Sequence, residues 1–526
     1  MRDIEHQEKR RLSMQARLDG EKSQSERNRL GQFATPTALA IDILKYAEKI
    51  FPNDNKIRFL DPALGTGSFF SALLHVFGRN RVMTAVGYEI DDHYGNVARD
   101  LWSEFGLDVR TEDFTQILPP ESDNKKATLI VCNPPYVRHH HMESSEKKRL
   151  SANIYEQQGV SLSGLSGLYC YFLCLSKEWM APHALAAWLI PSEFMDVNYG
   201  REIKKFLLDR VQLLHIHRFS PEDCQFNDAL VSSTVVWFRN DAPDEIHRVG
   251  FSFGGSLQKP LNKNTYTIDE LAQEKKWSRL PAQDSNHRNN TSRFVIGDYF
   301  DVKRGIATGA NQFFVLSPTD TRIRDIPKKF LTPILPSPRY LESDIIENDA
   351  EGFPLMQNWG FLFSSDLPPE RIQEHYPLVW RYLESGIALG VHQRYICRNR
   401  YPWYSQDKRE VASFLCTYMG RVTNNGKSKP FRFVLNHSKA IAANVYLMMY
   451  PKYWVRKLLQ NNPELEYSMW QALQSIPIEY LIGEGRVYGG GLYKLEPKEL
   501  LNTPTDRIAS LIPDAFTPRA MQMSLF

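Results

Sequence analysis

The sequence predicts an α/β fold: a largely parallel sheet wrapped by helices, followed by a second domain of mixed α+β character. Three observations predict it. From Ile57 to Asn240, apolar strand-like runs alternate with helical stretches, the pattern of a sheet covered on both faces. A strand–turn–helix segment with two closely spaced glycines, FLDPALGTGSFF at 59–70, opens that region. After about residue 245 the rhythm changes to short strands and Pro- and aromatic-rich loops.

Bulk composition narrows the classes. The 526 residues predict about two to four domains. An apolar fraction of 42% with 24% charged residues is that of a globular chain able to bury cores. The 64 Lys/Arg against 61 Asp/Glu leave a net charge of +3, which names no partner. No run approaches the roughly 20 apolar residues of a membrane span, and the polar N-terminus resembles neither a secretory signal nor a transit peptide. Six cysteines without a CxxC pair form no disulfide framework, so a reducing cytoplasm is expected.

Residues 1–30, with eight Lys/Arg, six Asp/Glu and few large apolars, read as a charged helix or mobile arm without an assigned role. The expected strands are 57–60, 85–90, 108–111, 127–135, 186–191, 212–219 and 230–238, with helices at 68–78, 91–106, 171–181 and 201–209. No helix separates the last two strands, so an antiparallel pair is expected at one end. The expected boundaries are a catalytic domain at 31–245, a linker region at 246–290 and a C-terminal domain at 291–526, with the polar stretch 281–294 a linker or surface loop across the last border.

The glycine turn carries the first chemistry. Gly65 and Gly67 permit a sharp turn and close approach of a ligand, and the helix start offers free N–H groups. A phosphate is disfavoured: there is no GxxxxGK[ST], Phe70 replaces the third glycine of GxGxxG, and Asp61 stands at the strand end. A cationic cofactor suits that carboxylate. Glu89 ends the second strand, placed to bind ribose hydroxyls, and Asp113 follows the third, placed to accept from an adenine amino group. Three acids at successive strand ends describe an adenosine pocket with a positive tail, hence S-adenosylmethionine.

The second cluster is Asn133-Pro134-Pro135-Tyr136 after the fourth strand. Two prolines make a stiff turn and cannot donate to a ladder. The Asn133 side-chain oxygen and the Pro134 carbonyl can accept both hydrogens of one amino group, and Tyr136 can stack on a flat ring. Such a clamp suits methylation of an exocyclic amine, whose lone pair is otherwise delocalised into its ring.

These segments resemble the gamma-class N6-adenine DNA methyltransferases of type II restriction–modification systems. The resemblance covers about residues 31–526 and is strongest at GQFATP (31–36), DPALGTG (61–67), YEID (88–91), DF (113–114) and NPPYVR (133–138). It implies a Rossmann-like class I S-adenosylmethionine-dependent domain with a mostly parallel seven-stranded sheet, then a target-recognition domain. Phe33 and Thr35 match the motif that closes over the methionine part. Asp61, Ala63, Gly65 and Gly67 match the methionine motif and its turn. Glu89 matches the ribose ligand, Ile90 the adenine packing, and Asp113 with Phe114 the adenine-recognition pair. Phe172 matches an aromatic near the cofactor. Asn133, Pro134 and Tyr136 match the catalytic loop, and Phe226, with Phe219 as rival, matches the aromatic that sandwiches a flipped base against Tyr136.

Residues 391–440 hold ten Lys/Arg against two acids, with eight aromatics interleaved. This pattern favours nucleic acid, with Arg394, Arg398, Arg400, Lys408, Arg409, Lys427 and Lys429 as candidate DNA contacts. The stretch 303–316, with Gly305, Thr308, Gly309 and Asn311, suits either a phosphate site or a structural turn. His139-His140-His141 lacks zinc spacing, so no metal is expected. A mobile loop over bound DNA is expected at 137–160. The implied partners are duplex DNA and a separate restriction endonuclease, with a monomeric enzyme and no membrane association. With about 30 residues before GQFATP, a fused nuclease is not expected. Competing readings are a protein-glutamine or RNA-base methyltransferase, a cytosine-N4 enzyme, and a non-catalytic DNA-binding subunit.

Overall fold

A computed structural model describes residues 2–52, 55–221, 223, 225–226, 232–244, 246–280, 294–421, 429–488 and 490–512. The expected stretch 281–293, Lys427, Cys224 and Gly489 lie outside the described residues. The chain forms two compact units, Met1–Asn289 with Val487–Gly491, and Asn290–Arg486 with Leu492–Phe526.

The first unit is built on one nine-stranded sheet in the order β3-β2-β1-β4-β5-β7-β6-β8-β9. Its strands are β1 (Ile57–Asp61), β2 (Val82–Tyr88), β3 (Leu107–Arg110), β4 (Ala127–Cys132), β5 (Met180–Pro191), β6 (Gln212–Arg218), β7 (Ser233–Arg239), β8 (Val249–Gly255) and β9 (Pro260–Tyr266). β1 to β5 pair in parallel, whereas β7 runs antiparallel to both β5 and β6. The central strands are covered on both faces, which explains their unbroken apolar runs. The helices include α1 (Arg2–Glu21), α2 (Gln24–Leu30), α3 (Thr37–Ile50), α4 (Ser68–Phe77), α5 (Asp92–Trp102), α6 (Ser144–Gln158), α7 (Leu168–Leu175), α8 (Gly200–Asp209) and α9 (Ile268–Gln273). The chain winds outward from β1 to β3, then returns beside β1 as β4. Between such oppositely wound strands a crevice opens at their C-terminal ends, and Asp61 and Asn133 come from the two strands that bound it.

Three expectations are corrected. Residues 246–290 are no mere linker: β8 joins β6 in parallel, β9 returns antiparallel, and α9 follows with a Thr267–Glu270 capping box. The sheet therefore has nine strands rather than seven. β9 (PLNKNTY) is an edge strand with an exposed, polar surface, so its sequence reads as loop. Of the two readings of residues 1–30, the charged helix holds, as α1 and α2. Arg11 on α1 is fully buried, its guanidinium held by Glu8 at 2.7 and 2.8 Å. Most of 137–160 is α6, anchored by buried Leu150 and Ile154, rather than a loop.

The second unit is mixed α+β. A five-stranded sheet joins Phe300–Arg304, Tyr446–Pro451, Phe414–Thr417, Phe433–Asn436 and Ile345–Ile346. A smaller one joins Val315–Leu316, Gly360–Phe363 and Leu331–Ile334, and helices Tyr453–Asn461 and Glu464–Gln474 carry much of the rest.

Candidate cofactor pocket and catalytic loop

The turn after β1 is shaped by its two glycines. Gly65 has φ +57° and Gly67 φ +89°. A Cβ on Gly67 would lie 2.6 Å from the Trp102 indole nitrogen, which donates to the Thr66 carbonyl at 2.8 Å. Gly67 thus seats the turn against α5 and does not line the cavity in front of it. Glu89 locks the turn from the next strand: one carboxylate oxygen accepts the Gly65 N–H at 2.8 Å, the other the Asp91 N–H at 2.9 Å.

The cavity holds about 600 Å³, ample for one nucleoside cofactor. It brings together Phe33, Thr35, Asp61, Ala63, Gly65, Glu89, Ile90, Asp113, Phe114, Phe172 and Asn133. Asp113 also caps the short 3-10 turn Phe114–Gln116, accepting from the Thr115 N–H and hydroxyl at 2.9 and 2.8 Å and from Gln116 at 2.7 Å. That cap holds Phe114 5.6 Å from Phe172. Ile90 is 69% exposed, an apolar surface open to a flat ring.

The charge in this cavity is unbalanced. Burial pushes the Asp61 carboxyl up to about 8, helped by the Glu89 charge and opposed by the Ala63 N–H. Burial likewise pushes Glu89 up to about 7, opposed by the Asp91 and Gly65 N–H groups. Among the described residues, no Lys or Arg lines the cavity. Two desolvated carboxylates await a cation, and the ammonium and sulfonium of S-adenosylmethionine answer that need. A carboxylate whose folded value is raised binds extra protons in the native state, so in the free protein this pair costs stability as pH rises from about 4 to 8. A bound cation favours the ionised forms. We therefore expect cofactor affinity to strengthen from pH 6 to pH 8.5, with net proton release near pH 7, read by calorimetry in buffers of different ionisation enthalpy. A flat profile without proton release would refute this account.

The catalytic loop leaves β4 at the edge of the same cavity. The Asn133 amide nitrogen donates to the Phe33 carbonyl at 2.9 Å and to the Thr35 hydroxyl at 3.1 Å. A carbonyl can only accept, so this contact fixes which end of the amide is nitrogen. Among the described residues, the buried Asn133 oxygen has no hydrogen-bond partner, a costly arrangement for a structural residue and one that a donor on a ligand would relieve. Pro134 is buried, and Pro135 rather than Pro134 lines the cavity.

Tyr136 is 8% exposed, and its hydroxyl donates to the Leu189 carbonyl at 3.0 Å. Its ring centroid lies 5.8 Å from Phe33 and 6.0 Å from Phe226. Phe219 packs on His217 instead, at 4.6 Å, so Phe226 is the ring beside Tyr136. The Tyr136 and Phe226 rings meet at 86°, whereas a base between parallel rings needs them about 7 Å apart. The expected sandwich is therefore not preformed.

Sequence reasoning missed the contribution of α1 and α2. Gln15, Asp19, Gly31 and Gln32 also line the cavity. Arg11 donates to Thr66 at 3.1 Å and Thr37 at 3.3 Å, and Gln15 accepts from the Thr66 hydroxyl at 2.6 Å. Lys22 and Gln32 both bond Asp91 and hold its carboxyl below the usual range against the opposing effect of burial. These contacts are polar, so no apolar periodicity announced them.

In the second unit, Arg394, Arg398, Lys408 and Lys429 are exposed. The half-buried Arg400 guanidinium donates to Gln406 at 2.8 Å and to the Ala307 carbonyl at 3.0 Å. Arg409 and Lys408 face acids, Asp407 at 3.6 Å and Asp366 at 2.6 Å. Within 303–316 the polar groups bond one another, with Thr308 buried and capping the Ala310 N–H at 3.1 Å, the behaviour of a structural turn.

Two family models match the chain: the Eco57I restriction-modification methylase over residues 87–225, and the C-terminal domain of the type II methyltransferase M.Eco57I over 283–519. Type II methyltransferase M.AccI of Acinetobacter calcoaceticus is 25% identical over 494 residues, covering 91% of this chain and 85% of that protein. M.XamI of Xanthomonas campestris pv. amaranthicola is 25% identical over 480 residues, covering 90% and 84%. The structure of the type IIL restriction-modification enzyme MmeI in complex with DNA is similar in fold, with a TM-score of 0.53 at 13% identity, over 89% of this chain and 64% of that one. Matched by these family models in both halves and similar to curated relatives along nine-tenths of its length, the chain resembles the type II restriction–modification methyltransferases.

Proposed function

We propose that the chain is an S-adenosylmethionine-dependent methyltransferase that acts on duplex DNA and modifies the N6 amine of an adenine turned out of the helix stack. The observation that carries the reading is the buried oxygen of Asn133, unpartnered among the described residues, beside a cavity suited to a cationic nucleoside. When bound, S-adenosylmethionine supplies an electrophilic methyl group. The Asn133 oxygen accepts one N–H of the target amine and the Pro134 carbonyl the other, which drives the nitrogen towards a pyramidal form with its lone pair free to attack. Tyr136 and Phe226 open to sandwich the base.

Exposed Arg394, Arg398, Lys408 and Lys429, interleaved with exposed Tyr395 and Tyr401, support the second unit as the DNA reader. The enzyme works as a monomer in the cytoplasm and protects sites that a separate endonuclease would cut. No described helix is long and apolar enough to cross a membrane. Single-molecule sequencing of DNA from expressing cells tests the function: N6-methyladenine in one fixed context is the expected result. N4-methylcytosine would correct the target base, and unmodified DNA with label transferred to protein or RNA would overturn the reading.

A further inference from the structure

The polar contacts of α1 converge on one carboxylate. Asp19 accepts through Oδ1 from the Tyr94 hydroxyl and from the Gln15 amide nitrogen, each at 2.9 Å. Gln15 is in turn bonded to Thr66, between the two glycines of the cofactor turn. Tyr94 lies on α5, which begins just after Glu89 and Asp91. Asp19 is therefore fixed from both sides of Glu89, and it lines the same cavity. Its Oδ2 takes no hydrogen bond from a described residue.

Glu89 is less free. Each of its oxygens already accepts a backbone N–H. A ribose offers two hydroxyls, each of which seeks an acceptor when taken from water. With Lys22 paired to Asp91, Asp19 is an acceptor on that side held in place and still open.

We propose that Asp19 is a further cofactor-binding residue, accepting one ribose hydroxyl while Glu89 accepts the other, and that Gln15 and Tyr94 position it. The inference rests on the cavity being the S-adenosylmethionine pocket. It makes α1, upstream of every motif that carries the family resemblance, part of cofactor recognition.

The test is calorimetric, on the full chain, with S-adenosylmethionine, S-adenosylhomocysteine and the 2′-deoxy and 3′-deoxy forms of the latter. Wild type should lose affinity on removal of the hydroxyl that Asp19 receives. Asp19→Asn should bind S-adenosylmethionine and S-adenosylhomocysteine about tenfold more weakly and show little further loss with that one deoxy analogue. If wild type binds neither parent compound, the pocket assignment itself falls, and this proposal with it. If wild type binds and Asp19→Asn binds equally well, with the deoxy penalties unchanged, the proposal is overturned and the pocket assignment stands. Should Asp19→Asn fail to fold, Tyr94→Phe decides: it keeps the ring and removes the hydroxyl that anchors Asp19. It should weaken binding about threefold, and only for ligands that retain the relevant hydroxyl; an equal effect on all four would overturn the proposal.

Discussion

Asn133→Ala should lower single-turnover methyl transfer by about a hundredfold to a thousandfold, the scale of losing one well-placed polar group at a reacting centre. Cofactor affinity should fall much less. The side chain has two jobs in the structure. Its nitrogen ties β4 to the Phe33–Thr35 segment, and its oxygen is the buried acceptor without a partner among the described residues. Alanine removes both, so a modest weakening of cofactor binding accompanies the kinetic loss. Asn133→Asp separates them. An aspartate keeps an oxygen on the cavity side but sets its other oxygen against the Phe33 carbonyl, so it should damage cofactor binding more than alanine does. Rapid-quench transfer with labelled cofactor, beside equilibrium binding, checks both variants. Transfer and affinity falling by the same factor in Asn133→Ala would remove Asn133 from the catalytic role.

Gly31→Ala should be nearly as damaging, although Gly31 belongs to no catalytic motif. Gly31 ends α2 with φ +67°, where an L side chain is strained. A Cβ there would stand 2.3 Å from the Tyr136 backbone nitrogen and 2.8 Å from the Val137 nitrogen. Backbone cannot swing aside as a side chain can, so the catalytic loop must move. The Gly31 carbonyl also accepts the Tyr136 N–H at 3.2 Å. Misplacement of a reacting group by about 1 Å costs roughly a hundredfold, and the strain adds about 1–3 kcal/mol of destabilisation. We expect turnover to fall at least about a hundredfold, with a lower melting temperature by differential scanning calorimetry. An active, equally stable Gly31→Ala would show that α2 does not set the position of the loop.

Why some of this was legible and some was not follows from particular residues. β1, β4 and β7 are continuous apolar runs because both of their faces are covered, and such runs stand out. β9 is an edge strand whose Asn262, Lys263 and Asn264 face solvent, and no pattern distinguishes it from a loop. Among the cofactor residues, Asp61 and Glu89 end strands and drew attention as carboxylates. Asp113 was read only as a ligand, although its visible work is to cap Phe114–Gln116. Composition also cannot tell a solvated guanidinium from one that bonds Gln406, as that of Arg400 does. Phe219 and Phe226 are both buried aromatics, and only their packing separates them.

The fully buried guanidinium of Arg11 bears on how the protein can be handled. A fragment trimmed to start at GQFATP, where the recognisable motifs begin, would lose Glu8 and Arg11 together and strip Thr37 and Thr66 of their donors. It would also expose the outer surface of α5, where the Gln7 amide meets the Leu101 carbonyl. Domain borders drawn from motifs alone would cut away part of the scaffold, and poor solubility of such a fragment would say nothing about the catalytic competence of the intact chain.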